Sequence, residues 1–416
     1  MSILISFAAL FVSIFLVQVG SGSLGPLDAL SGATLGFSNE EIGLLGSAHF
    51  LGFFAGCYLT PRYIGTVGHS RAFAAAAAVG ATGALLHPVF EGPIAWAILR
   101  TLTGLAIAAA YTVIESWLQA KMENHNRGRI YGTFRVVDLV GQIAAQGLIA
   151  VLEPGTYAAY NIVAVFCCIC LLPLTLSRRA APKTPEAPRL RPMVALRLSP
   201  TACAGIVVAG LSGSALRMVG PIFAVENGLD QTDIALFLAA AVIGGAIGQV
   251  PIGWIADKLD RRLVLVGLSV AAMGACAAMA MMAGPGARGM LFLGSFLFGL
   301  TTFPLYSVSA AYANDFATED FVVELNAALI LFFSIGAIVS PVISASLISS
   351  YGPGALFLFI ALAHLALVVF ALYRMTRRRA AWPRTPYRYL PRTSMVLGRT
   401  SATDTPSDPP LERREP

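Results

Sequence analysis

Gly253-Trp254-Ile255-Ala256-Asp257-Lys258-Leu259-Asp260-Arg261-Arg262 puts five charged residues into a ten-residue break between two apolar runs, 233–252 and 263–283. Each run is close to the roughly 20 residues that cross a bilayer as a helix. Working outward, runs of similar length recur at 3–22, 43–61, 72–90, 94–117, 131–151, 157–176, 200–222, 289–312, 323–348 and 354–374. They lack the every-second-residue alternation of a barrel strand. The reading is an all-α polytopic membrane protein with twelve transmembrane helices.

Composition agrees. Charged residues make up 12% of the chain, against about 25% in soluble domains, and mean hydropathy is +0.73. Gly and Ala are abundant within the runs, as expected where helix backbones approach closely in lipid. The net charge of +6 is topological and is no nucleic-acid footprint. Arg62, Arg71, Lys121, Arg127, Arg129, Arg178, Arg179, Lys183, Lys258, Arg261 and Arg262 all lie in alternate connections, with Arg374, Arg377, Arg378 and Arg379 on the same side. The opposite connections hold almost nothing basic beyond Arg288. By the positive-inside rule both termini and the middle loop are cytoplasmic. Residues 1–22 lack a basic leading segment and exceed the 7–15-residue core of a cleaved signal, so they read as the first membrane helix. Six cysteines show neither zinc spacing nor a disulfide framework, and no cofactor or metal site is expected.

The two halves repeat one another. Gly36, Ser38 and Glu41 recur as Gly228, Asp230 and Asp233 at an offset of 192, and Leu102, Gly104 and Tyr111 recur as Leu297, Gly299 and Tyr306 at 195. Gly141 meets Gly336 at the second offset. The expected organisation is a six-helix bundle over 1–176, a Pro- and Arg-rich cytoplasmic linker over 177–198, a pseudo-symmetric six-helix bundle over 199–375 and a disordered cytoplasmic tail over 376–416. Duplicated membrane bundles of this kind place a cavity at their interface, near the bilayer middle. Ser38 with Glu41 forms a capping box, and Asp230 with Asp233 the same device, so these acids belong to helix starts.

The loop 253–262 resembles the signature loop of the major facilitator superfamily, Gly-x-Leu-Ala-Asp-Arg-x-Gly-Arg-Arg. It keeps Gly253, Ala256-Asp257, the base Lys258 and the pair Arg261-Arg262, and departs at Asp260, where Gly is usual. The resemblance covers roughly residues 1–375 and is nearest to bacterial members with unassigned substrate. It implies a cytoplasmic gate locked by Asp257 against a neighbouring helix start and basic side chains, here around Arg129. The first-half counterpart, Pro61 to Arg71, lacks the acid. Arg100-Thr101-Leu102-Thr103-Gly104 fits the fourth-helix Arg-x-x-x-Gly pattern, which the family associates with proton coupling. The span-5 Gly-Pro motif of drug exporters is absent.

A charge near a helix centre costs roughly 2.5–3.5 kcal/mol even on lenient scales, so each one asks for a reason. Arg100 and Glu115 fall in span 4, Arg135 and Asp138 in span 5, and Arg217 in span 7. Arg135 and Asp138 are three apart, on one helix face, where they can pair. Arg135 and Asp138, with Gln142 and Gln146 on the same helix, are the central-cavity candidates for substrate or protons, the alternative being a neutralised pair that holds span 5 in place. Arg100 is a candidate anion or coupling site, and Glu115 either a coupling residue or a gate anchor for Arg127 or Arg129. Arg217 is expected to lie near the outer surface, snorkelling or forming an outer gate, rather than to touch substrate. His49 and His364 are read as interhelical hydrogen-bonding groups. Tyr111, Trp117 and Tyr306 are read either as cavity lining or as packing.

These readings imply a secondary transporter in the bacterial cytoplasmic (inner) membrane, working by alternating access as a monomer on a small-molecule substrate. Proton coupling and facilitated diffusion are both open, and so are a multidrug or metabolite efflux antiporter and a non-transporting sensor. The chain has no Gly-x4-Gly-Lys-Ser/Thr loop for ATP. An enzyme is not expected: the one acidic cluster, Asp315, Glu319 and Asp320, reads as a solvated connection.

Overall fold

A computed structural model describes residues 2–122, 127–176, 189–282, 288–318 and 321–377, and their regular structure is entirely helical. The helices are α1 (Ser2–Thr34), α2 (Asn39–Val67), α3 (His69–Leu86), α4 (Pro93–Lys121), α5 (Arg127–Val151), α6 (Tyr157–Ile169), α7 (Leu172–Thr175), α8 (Pro192–Leu198), α9 (Pro200–Glu226), α10 (Gln231–Lys258), α11 (Arg261–Met281), α12 (Arg288–Asn314), α13 (Val322–Tyr351) and α14 (Ala355–Arg377). Among the described residues, eleven segments are long and apolar enough to cross a membrane, α6 and α7 counting as one. The twelfth span is α3, whose opening His69-Ser70-Arg71 lowers its apolarity. Ile98, Leu293, Leu362 and Val369 stand exposed on the outside, where acyl chains cover them.

Three boundaries correct the sequence reading. The first span does not stop at residue 22 but runs to Thr34, because Ser21, Ser23 and Asp28 face the protein interior. The sixth span breaks after Ile169, where Pro173 cannot supply the amide that a continuing helix needs. The linker is not all loop: Pro192 opens the short helix α8, and Arg191 pairs with Glu324 at 3.3 Å. Residues 177–188 of the linker and 378–416 of the tail lie outside the described residues.

Local devices repeat at the offsets seen in the sequence. Gly36 (φ 80°) and Gly228 (φ 75°) make the same left-handed turn that glycine alone adopts without penalty. Just beyond, Ser38 Oγ accepts from the Glu41 amide at 3.2 Å and Asp230 Oδ1 from the Asp233 amide at 2.8 Å. Helix α2 crosses α4 where Gly52 meets the Thr101 carbonyl and Gly104 the His49 carbonyl. Helix α10 crosses α12 where Gly244 meets the Phe296 carbonyl and Gly299 the Ala241 carbonyl. A β-carbon at any of the four would overlap backbone, so the crossings admit only glycine. Gly141 lies against α1 beside Phe15, and Gly336 against α9 beside Val207.

Helices α1–α6 form one bundle and α9–α14 the other, and they meet where α2 packs on α13, α5 on α10 and α1 on α9. Close contacts across this seam gather at the end remote from Ser2 and Arg377. Gly43 abuts Pro341 and Ala345, and Gly46 abuts Met218 and Pro341. Asn39 Nδ2 donates to Glu226 Oε1 at 3.0 Å, while the Gln231 amide donates to the carbonyls of Ile149 and Leu152.

Candidate functional site: a cavity at the bundle seam

Between the bundles lies a cavity of about 520 Å³, within the size range of ligand sites. Arg135, Asp138, Gln142 and Gln146 follow one another at intervals of three or four, which puts all four on the cavity side of α5. Asp138 is 2% exposed and collects three donors: Arg135 Nη1 at 2.9 Å, Gln142 Nε2 at 3.1 Å and the Tyr111 hydroxyl at 2.5 Å. The expected Arg135–Asp138 pair is therefore present, and Tyr111 joins it as lining. That hydroxyl also meets the Gln18 side chain. A phenol carries one proton, and with it given to Asp138 the Gln18 amide must turn its NH₂ toward the phenol oxygen. The result is a buried relay from α1 through α4 to α5.

Beside the cavity lies a second charged group that the sequence reading half missed. Arg100 is 1% exposed, and its Nε faces Asp28 Oδ2 at 3.3 Å. Asp28 Oδ1 accepts from the Tyr160 hydroxyl at 2.9 Å, and His87 Nε2 lies 3.5 Å from Oδ2. His87 stacks on Tyr160 with ring centres 5.3 Å apart, and Trp96 closes on both rings. His87 Nδ1 is 2.7 Å from the Gly83 carbonyl and must donate there, so Nε2 carries a proton only when the ring is cationic. Arg100 is thus no bare anion site. Asp28 escaped notice because the first span appeared to end before it, although a lone intramembrane arginine is itself a signal that a carboxylate is near.

Other candidates separate. Glu115 is fully buried, does not line the cavity and lies close enough to Cys57 on α2 for its charge to be felt there. Arg129 is exposed, and the side chain of Arg127 lies outside the described residues. Arg217 does not snorkel at the outer surface: it lines the cavity from α9. His49 also lines it, whereas His364 bonds Ser212 between α14 and α9 at 3.2 Å, as expected. Trp117 packs on His69, and Tyr306 packs behind the cavity-lining Phe333; neither Trp117 nor Tyr306 lines the cavity itself.

At the opposite end from the seal, Arg261 is 1% exposed and donates to Asp315 Oδ1 at 2.5 Å and the Ala311 carbonyl at 3.0 Å. Asp315, read as part of a solvated connection, is equally buried; Glu319 and Asp320 lie outside the described residues. Asp257 pairs with Arg261 at 3.2 Å but remains 45% exposed. Asp260, the departure from the loop pattern, caps α11 through the Arg262 amide and binds the Arg262 guanidinium at 2.6 Å. Gly253 is buried, and Lys258 lies over the Trp254 ring at 3.8 Å. The most buried ion pair of this loop is Arg261–Asp315.

The family model described as Major Facilitator Superfamily matches residues 10–203 and again 202–401. The chain belongs to that superfamily. An uncharacterized MFS-type transporter of Enterobacter sp. (strain 638) is 29% identical over 349 residues, 83% of this chain and 88% of that protein. The uncharacterized MFS-type transporter YcaD of Escherichia fergusonii is 28% identical, over 77% of this chain and 83% of that one. Among solved structures, the nucleoside transporter NupG superposes with a TM-score of 0.74 at 16% identity, covering 89% of this chain and 99% of its own. A D-xylose-proton symporter superposes at 0.67 and 13% identity, covering 94% and 98%. At such identity these likenesses speak to fold alone. A superfamily chain with this cavity is a multi-pass membrane transporter, not an enzyme.

Proposed function

We propose that the protein moves a small solute across the bacterial cytoplasmic membrane by alternating access, the bundles 1–176 and 199–375 rocking about the cavity as a monomer. The linker 177–198, the tail 376–416 and both termini belong to the cytoplasmic side in this reading, as the distribution of Arg and Lys supports. The observation that carries it is the asymmetry of the seam. Cross-bundle contacts seal the end bearing Asn39, Gly43, Gly46 and Gln231, while the cavity reaches exposed Val136 and Val250 toward the other. With the termini inside, this is an inward-facing state. Where protons drive the cycle, the cavity carboxylate Asp138 and the Asp28–His87 contact are placed to take them, and Glu115 is not. Arg135, Gln142 and Gln146 hold the substrate beside Asp138, and the Arg261–Asp315 lock with Asp257 governs the cytoplasmic end.

Spin labels at Asn39→Cys and Glu226→Cys, with native cysteines replaced, measure the seal in lipid nanodiscs. Two distance populations are expected, the longer one growing as a label pair across the cytoplasmic end shortens. One fixed distance from pH 5.5 to pH 8 would sink the alternating-access reading.

A further inference from the structure

Counting charges around the cavity leaves one cation over. Arg135 is neutralised by Asp138 and Arg100 by Asp28. Arg217 has no ion pair or hydrogen bond among the described residues, yet it lines the cavity from the second bundle and lies close enough to Arg100 and His49 for its charge to act on both. The walls also differ. The first bundle presents Gln18, Tyr111 and the α5 stripe, whereas the second presents Leu238, Val242, Phe303 and Phe333, with Ser214 and Gln249 as its uncharged polar side chains. Gln146 Oε1 and His49 Nδ1 border the space without a hydrogen-bond partner.

Resting on the transporter reading above, we infer that the substrate is an amphipathic organic monoanion: a carboxylate held between Arg217 and the Arg100–Arg135 side, its apolar body against α10, α12 and α13. A cationic substrate would add to a positive charge that no acid lining the cavity is left to compensate. A polyol would set its several hydroxyls against a wall whose uncharged polar side chains are Ser214 and Gln249 alone. A carboxylate instead supplies the counter-ion that Arg217 lacks, and it does so across the seam. Unliganded, Arg217 and Arg100 are like charges on opposing bundles. With an anion between them the bundles can close on the cavity, so binding and closure are coupled by the same charge.

The test is thermal shift on the full chain in nanodiscs with matched probes: 3-phenylpropionate and octanoate, their neutral amides, 3-phenylpropylamine, and acetate as an anion without an apolar body. Carboxylates are expected to act at about tenfold lower concentration than their amides, with the amine and acetate inert. Arg217→Gln should abolish that preference while melting no lower than wild type, since it removes an unpaired charge, and Arg217→Lys should retain part of it. Amides or the amine matching the carboxylates, no carboxylate binding at all, or Arg217→Gln leaving the preference intact would each overturn the proposal. A protein whose spin-label distances alternate but which lacks carboxylate preference loses the substrate class alone. Carboxylate preference with one fixed distance loses the transport reading instead.

Discussion

Replacing Asp28 by Asn changes one charge and almost no shape, so it isolates what the carboxylate does for Arg100. The Nε–Oδ2 separation of 3.3 Å corresponds to about 5 kcal/mol of attraction at an effective dielectric of about 20. An asparagine oxygen still accepts from Tyr160, which limits the loss to the ionic contact. Removing one partner of a buried pair typically costs about 3–5 kcal/mol, because the other charge stays behind uncompensated. Asp28→Asn should therefore destabilise the first bundle by about 3–5 kcal/mol, or roughly 6–20 °C at the 2–4 °C per kcal/mol of a unit this size. Trp96, whose ring centre lies 5.0 Å from His87 and 5.8 Å from Tyr160, reports melting of this region by fluorescence. The decisive arm is the double variant Asp28→Asn with Arg100→Met, which removes the stranded cation and should recover most of the lost stability. A single variant within about 1 kcal/mol of wild type, or a double variant as unstable as the two singles added, would mean the pair is not coupled and the burial argument fails.

The same reasoning separates two other ion pairs. Asp315→Asn takes the buried carboxylate from Arg261, whose remaining acid partner Asp257 is 45% exposed, and should cost about 3 kcal/mol, whereas Glu324→Gln at the half-exposed Arg191 contact should cost under about 1 kcal/mol; equal losses in paired melts would contradict this. Gly52→Leu and its repeat equivalent Gly244→Leu should each lower the yield of folded, monodisperse protein on size exclusion by forcing the crossings apart, with Gly147→Ala, which faces open space, as the neutral control. Tyr111→Phe removes one of three donors to Asp138 and leaves Gln18 facing an apolar ring, a loss of about 1–3 kcal/mol in the same melting assay. An unchanged melt would show that the relay is not formed.

What could be read from the sequence was what is local in it. Gly104 and Gly299 repeat because each helix crossing excludes any side chain, and that demand leaves a fixed residue at a fixed offset. Arg135 and Asp138 could be paired on paper because a helix sets residues three apart on one face. Asp28 lies 72 positions from Arg100, and Asp315 lies 54 from Arg261; no periodicity links them, only the packing of one helix on another. Hydropathy also erred in a consistent direction. It ended the first span at the first polar cluster, as though every helix face met lipid, when inside a bundle one face meets protein and tolerates Ser, Gln and Asp. Arg100 and Arg217 show where that leaves a reader of sequence. Each is a lone arginine in an apolar run, with no acid three or four residues away. Folding brings a carboxylate to the first and an open cavity to the second. A charge answered within the fold is structural, and a charge the fold leaves facing empty space needs its counter-ion from outside the chain.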